Sequence, residues 1–149
     1  MLESGDPAPE VTARNQHGES VTLDFADPTV VYFYPKDFTG GCTIEANDFG
    51  DAYPEFEELG VAVYGVSMDD VESHADFAEA EGVPFDLLAD PDGTVASAFG
   101  VPTDEGYTDR LTFLVGDGGV VATYDPALAD PAGHAREVLD DARSEFGGE

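Results

Sequence analysis

One side chain here carries a soft nucleophile: Cys42, the only cysteine in 149 residues. Thr39 stands three residues before it, with Gly40 and Gly41 between, so a hydroxyl, two bare backbone positions and a thiol share four consecutive residues. A thiol reacts poorly and a thiolate well, and the unpaired N–H groups at a helix N-terminus favour the thiolate. Beyond Cys42 the apolar residues Phe49, Tyr53, Phe56 and Leu59 recur at intervals of four and three, the spacing of one helix face. Cys42 is therefore expected in a loop or in the first turn of that helix. The glycines let the backbone approach a small ligand closely, and Thr39 can turn its hydroxyl to the same spot. The segment suits an anion, and an arginine from elsewhere would complete it. Taken singly, a cysteine is more often a small buried hydrophobe and a threonine here a helix cap. The combination is what points to chemistry.

The stretch Thr29 to Phe49 holds these residues, and the rest of the chain is arranged around it. Val30 to Tyr34 is β-branched or aromatic without polar alternation, as suits a central strand buried on both faces, and Pro35 ends it. Gly60 closes the Cys42 helix, and Pro54 inside that helix predicts a kink or a break because it removes a backbone donor. Val61 to Val66 reads as a second buried strand. Strand, helix and strand with a long crossover make a βαβ unit with parallel neighbours, and ligands generally bind at the carboxyl end of such strands.

Upstream, Gly5 to Pro9 is an extended lead-in, with Ser20 to Phe25 as a short strand packed near it. Downstream, Ser67 to Gly82 carries a helix capped by Asp69 or Asp70, with Val71, Ala75 and Ala78 as its apolar side and Phe77 beside them. Phe85 to Leu88 is a short strand, Asp90 to Gly93 a turn, Val95 to Phe99 a brief helix, and Gly100 to Asp109 a loop. Leu111 to Val115 and Val120 to Tyr124 form a hairpin about a glycine-rich turn. Pro131 to Phe146 is the last helix, with Ala135, Val138, Leu139, Ala142 and Phe146 on one side. The alternation of elements supports an α/β class and no more.

Composition bounds the possibilities. The length fits one domain, residues 1–149, with enough apolar residues for a core and no linker or repeat. No signal peptide or membrane span is evident, which points to the cytoplasm. His17, His74 and His134 are too scattered to suggest a metal site and read as structural or solvated, and nothing calls for a cofactor. The net charge of −28, with 33 acidic against 5 basic residues, destabilises a compact domain in dilute buffer and is screened in concentrated salt, which reads as a halophilic surface. Nucleic acid and anionic membranes are excluded as partners on the same ground.

Pro35, Thr39 and Cys42, with Glu45 three residues on, stand in the pattern Pro-x-x-x-Thr-x-x-Cys, which resembles the peroxidatic motif of peroxiredoxins. The longer phrase FYPKDFTGGCTIEANDF resembles the bacterioferritin-comigratory, or Q-type, branch, and the likeness extends through GDPAPEVTARNQHGESVTL, through VYGVSMDDVESHADFAEAEGVPFDLLADPDGTVASAFGV and through RLTFLVGDGGVV. Two departures stand out. Gly40 replaces the branch's usual proline, which loosens the loop, and Asn47 occupies the position where many members carry a resolving cysteine. The resemblance implies a thioredoxin-like fold with a central mixed sheet flanked by helices, as monomer or homodimer. It implies a thiol peroxidase in which Cys42 attacks hydrogen peroxide or an organic hydroperoxide, Thr39 and Arg110 assist, Pro35, Gly41 and Glu45 shape the substrate site, and Glu45 orients Arg110. Arg110 alone would also serve as an ion-pair partner among so many carboxylates. Lys36 reads as solvated, and Tyr32 and Phe38 as lining or shielding the pocket. With no second thiol, an external reductant, whether thioredoxin, glutaredoxin or a small thiol, must resolve the sulfenic acid. The alternative is a peroxide sensor or thiol relay that passes oxidation of Cys42 to a partner protein; a third reading is a thioredoxin-like interaction domain with an inert Cys42. Thioredoxin-type reductase chemistry needs Cys-x-x-Cys, where this chain has Thr39-Gly-Gly-Cys42.

Overall fold

The computed structural model describes residues 3, 5–25, 27–37, 40–103, 106–108, 111–116, 118–124 and 134–146; for 40–42, 44, 45, 134, 135 and 146 it describes the backbone alone. The apolar run forms β3 (Thr29–Phe33), buried at every position. It pairs in parallel with β4 (Ala62–Ser67), Phe33 opposite Val66, and antiparallel with β6 (Leu111–Gly116), Phe33 opposite Leu111. With β1 (Val11–Arg14), β2 (Ser20–Leu23), β5 (Asp86–Ala89) and β7 (Gly119–Tyr124), these make a mixed seven-stranded sheet in the order β2-β1-β5-β4-β3-β6-β7. The parallel β3-β4-β5 core flanked by antiparallel strands is the thioredoxin-like arrangement.

Residues of β3 alternate between two cores. Val30 and Tyr32, followed by Tyr34, face α1 (Gly40–Glu58) and α4 (His134–Phe146) through Phe49, Phe56, Val138 and Leu139. Val31 and Phe33 face Val95, Ala96 and Phe99 of α3 (Thr94–Phe99) on the other side. A strand sandwiched between two apolar layers has no polar alternation to show, which is why the run reads as continuous.

Several local expectations are corrected. The break that Pro54 could cause does not occur: helix α1 continues through it to Glu58. Proline forfeits one backbone donor, but Phe49 and Ala52 before it and Phe56 after it are all buried, so packing holds the helix on both sides of the missing bond. Residues 5–9 run beside β7, where Gly5 N donates to Val120 O, Val120 N to Asp6 O and Ala8 N to Gly118 O, and the end of the predicted Ser20–Phe25 strand meets the same turn, Gly118 N donating to Phe25 O. The partner of β2 is β1, a strand the polar sequence Val-Thr-Ala-Arg does not announce. On α2 (Val71–Glu81), the buried residues are His74 and Phe77, while Val71, Ala75 and Ala78 are only half-buried. Its ends match the reading, with Asp70 capping Ser73 N and Gly82 in the left-handed conformation at φ 63°. Tyr32 is fully buried and stacks on Phe49 with ring centroids 4.6 Å apart, so it belongs to the core and not to a pocket wall.

That stack sets up one test of the packing. A Cβ on Gly65 of β4 would lie 2.8 Å from Leu87 Cδ2 and from Tyr32 Cζ and Oη. Tyr32 is wedged against Phe49 and Phe85 and has nowhere to retreat. Gly65→Ala is expected to lower stability by about 1–3 kcal/mol, read as a lower denaturant midpoint in molar KCl. An unchanged midpoint would show that this layer repacks freely.

Candidate active site

The carboxyl ends of β3 and β4 and the amino end of β6 meet at one edge of the sheet. There the chain leaves β3 through Tyr34, Pro35, Lys36 and Asp37 and starts α1 at Gly40. Gly41 and Cys42 are the second and third residues of α1, so the sole thiol belongs to the first turn of a 19-residue helix. That first turn holds no acidic residue, in a chain with 33 of them. Carboxylates ordinarily favour a helix N-terminus, so their absence leaves the positive end of the helix to a different anion. Glu45 follows in the second turn of α1. Pro35 is half-buried where β3 ends, and Lys36 is exposed. Thr39, Arg110 and Phe38 lie outside the described residues.

The structure adds a set of polar residues at this edge that sequence spacing does not connect. Tyr34 and Asp37 are buried, and Tyr34 Oη donates to Asp37 Oδ1 at 2.7 Å. Asp37 Oδ2 accepts from Ser73 Oγ at 2.8 Å and lies 2.7 Å from Nδ1 of His74, which has no exposed surface. The other ring nitrogen of His74, Nε2, donates to the carbonyl of Leu88 at 2.9 Å. Asp37 N donates to Asp69 Oδ2 at 2.8 Å, and the same carboxylate oxygen takes Ser67 Oγ at 2.7 Å. Burial first, then the neighbouring Tyr32 and Asp37, raise the Tyr34 phenol well above its usual range, so it remains a neutral donor. His74 thus proves structural in its bonding, as read, though far from solvated. Only the acids, serine and histidine at the start of α2 could have signalled the cluster, and no periodicity joins residues 37 and 74.

Oxygen and nitrogen atoms of Asp37, Asp69 and His74 lie within 4.8 Å of one another, close enough to surround a cation. The donor set is already closed by protein partners: both ring nitrogens face Asp37 and Leu88, and both carboxylates receive hydroxyl or amide protons. It fits a closed hydrogen-bonded network better than a metal centre.

A third segment joins at Thr108, whose buried Oγ1 donates to the Tyr34 carbonyl at 2.8 Å. This bond ties the segment before β6 to the end of β3. Thr108→Val keeps the shape and removes the donor. Leaving the buried carbonyl without it is expected to lower stability by about 1–3 kcal/mol, measured by urea unfolding in molar KCl.

The α1 position five residues after Cys42 is also accounted for. Asn47 Nδ2 donates to Thr43 O and to Glu81 Oε1, each at 3.0 Å, bridging α1 to α2.

Residues 4–124 match the model of the AhpC/TSA family. A putative peroxiredoxin Bcp of Coxiella burnetii is 37% identical over 147 residues, covering 93% of this chain and 97% of that protein. The Bacillus subtilis peroxiredoxin Bcp is 45% identical over 102 residues, covering 67% of this chain and 65% of that protein. Among solved structures, Mycobacterium tuberculosis peroxidoxin BcpB superposes with a TM-score of 0.90 at 33% identity, over 97% of this chain and 98% of that one. A Xanthomonas campestris bacterioferritin comigratory protein, studied for its alkyl peroxide reduction activity, superposes with a TM-score of 0.82 at 34% identity, over 91% and 92%. A lone thiol opening the helix after the central strand, in a chain related along most of its length to these proteins, leads to one conclusion: this chain belongs to the AhpC/TSA family of peroxiredoxins, in the Bcp and peroxiredoxin Q branch, and is a thiol peroxidase.

Proposed function

We propose that the chain reduces hydrogen peroxide and alkyl hydroperoxides through a Cys42 sulfenic acid that an external thiol resolves. The observation that carries this reading is the placement of the only cysteine in the acid-free first turn of α1, with no second thiol in the sequence. The Cys42 thiolate attacks one peroxide oxygen, the O–O bond breaks, and the departing alkoxide or hydroxide takes a proton to leave as alcohol or water. Backbone N–H groups at Gly41 and Cys42, Thr39 and Arg110 hold the peroxide and the charge that develops on the leaving oxygen, with Pro35 closing the loop and Glu45 orienting the arginine. An external thiol then displaces water from the sulfenic acid to give a mixed disulfide, and a second thiol releases Cys42 as that reductant becomes its disulfide. Asn47, an amide bonded to both Thr43 and Glu81, occupies the place of a resolving thiol, which supports this one-cysteine route.

The lack of an internal reductant also suits a relay that hands its oxidation to a partner protein. Turnover separates the two, since a relay forms the sulfenic acid quickly and cycles slowly with thioredoxin, glutaredoxin and small thiols alike. We further propose that the acidic surface is an adaptation to high salt.

The deciding experiment is stopped-flow consumption of hydrogen peroxide by fully reduced protein in about 1 M KCl, with mass analysis of the Cys42 peptide. The expected result is rapid loss of about one peroxide per chain, a gain of one oxygen at Cys42, and continued turnover only when a thiol is added. Slow consumption with an unmodified Cys42 would overturn the assignment.

A further inference from the structure

Between β3 and α1 the chain must place the Cys42 turn accurately, yet Gly40 and Gly41 offer no side chain to hold it. Asp37 is the last residue before that turn with a described anchor, and it is held from every side. It takes protons from Tyr34 Oη, Ser73 Oγ and the His74 ring, while its own N–H is fixed by Asp69. Tyr34 in turn is fixed by Thr108 through its carbonyl and by Val66 O through its N–H at 3.0 Å. His74 is braced from behind by the Leu88 carbonyl.

Burying a carboxylate and an imidazole in a chain already carrying a net charge of −28 works against stability. Buried polar and ionic groups seldom stabilise a fold more than apolar residues of the same volume would, and in some proteins they serve instead to fix geometry. The pair ties the connection into α1 to α2 through Ser73 and His74 and to β5 through the Leu88 carbonyl, so it anchors that connection to the body of the fold.

We propose that Asp37, clamped by His74, Tyr34 and Ser73, is the positioning group for the peroxidatic turn, setting where the first N–H groups of α1 meet the Cys42 sulfur. Asp37 acts through the backbone of the turn and does not touch the peroxide. The inference rests on Cys42 being the reacting thiol.

The test uses the full chain in molar KCl, with Asp37→Asn, Tyr34→Phe and Ser73→Ala. Two quantities are read: the second-order rate constant with hydrogen peroxide, and the pH midpoint for alkylation of Cys42 by iodoacetamide. Misplacing the turn by a fraction of an ångström is expected to lower the rate constant about 10- to 100-fold in Asp37→Asn and to move the alkylation midpoint upward, because the sulfur loses donors that favour its ionised form. Tyr34→Phe, which removes the contacts of the phenol with Asp37 and His74, and Ser73→Ala, which removes one hydrogen bond to Asp37, take away no charge and should move both readouts the same way by smaller factors. Should Asp37→Asn fail to melt cooperatively, these two milder variants decide the matter by the same criteria. Variants that melt at lower temperature but keep the wild-type rate constant and midpoint would overturn the proposal and leave the cluster a structural device only. A wild type that reacts with peroxide no faster than Cys42→Ser would overturn the peroxidatic reading instead, and the alkylation midpoint, which needs no peroxide, would still report on the clamp.

Discussion

Cys42→Ser is expected to lower the rate constant with hydrogen peroxide by at least about 10³-fold, as removal of an attacking nucleophile does in enzymes generally. A serine hydroxyl in the same turn has no accessible ionised form near neutral pH and lacks the polarisable, high-energy lone pair with which a thiolate sulfur attacks the O–O bond. The substitution changes one atom in the first turn of α1, while the anchoring residues Ala46, Phe49, Ala52 and Phe56 are buried further along the helix. The melt should therefore stay within about 1 kcal/mol of wild type, so the loss is read as chemistry and not as unfolding. Stopped-flow mixing of both proteins with peroxide, followed by intact mass, gives the comparison. A serine variant that kept a tenth of the wild-type rate would mean that another group reacts. With no other thiol in the chain, the two methionines would be the sulfur atoms left to account for it.

What the sequence revealed, and what it withheld, divides along the range of the interactions. The βαβ unit of β3, α1 and β4 is written locally: a run of β-branched and aromatic residues, a proline stop, a helical period and a glycine whose φ of 74° ends the helix. Position alone then delivers Cys42 to the first turn of α1. Elements that depend on distant partners were harder to see. The short strand β1 touches β5 through one residue pair, Arg14 with Ala89, and its neighbour Gln16 continues the edge with its side chain, accepting from Leu87 N and donating to Phe85 O. A glutamine standing in for strand backbone leaves no pattern in the chain. The face of α2 was misread for a related reason: Val71, Ala75 and Ala78 have the apolar period, but the sheet edge offers a carboxylate and a carbonyl, and His74 turns inward to meet them. Polar burial is decided by partners, and partners 37 residues away are invisible to a periodicity. The continuity of α1 across Pro54 is likewise a tertiary effect overriding a local penalty.

The salt dependence of folding should be the largest effect on stability. The chain carries 33 carboxylates against five lysines and arginines, and two of those arginines converge on one acid: Arg143 Nη2 lies 2.7 Å and Arg136 Nη1 3.6 Å from Glu55, joining α4 to α1. These pairs are well exposed, and such pairs contribute at most about 1 kcal/mol each. Local pairing therefore leaves nearly all of the negative charge to be balanced by counterions. At 0.05 M salt the screening length exceeds about 10 Å and neighbouring carboxylates on one surface repel; near 1 M it falls to about 3 Å and each is isolated. The difference is expected to reach several kcal/mol, a large share of the about 5–15 kcal/mol that holds a domain of this size together. Melting followed across 0.05 to 3 M KCl should rise steeply and then level off once screening is complete. An identical series in sucrose, which strengthens burial without screening charge, should lack the steep initial rise. Replacing the exposed Glu10 and Glu19 by lysine should flatten the KCl curve by raising stability at its low-salt end, leaving the plateau in place. The clamp at Asp37 should respond differently, because its groups are buried and bonded directly, beyond the reach of mobile ions. In any salt where the chain is folded, the alkylation midpoint of Cys42 should then stay nearly constant while the melting temperature climbs. A melting temperature that is the same at both ends of the KCl series would rule out charge screening as the source of stability and leave the acidic surface with no role in salt tolerance.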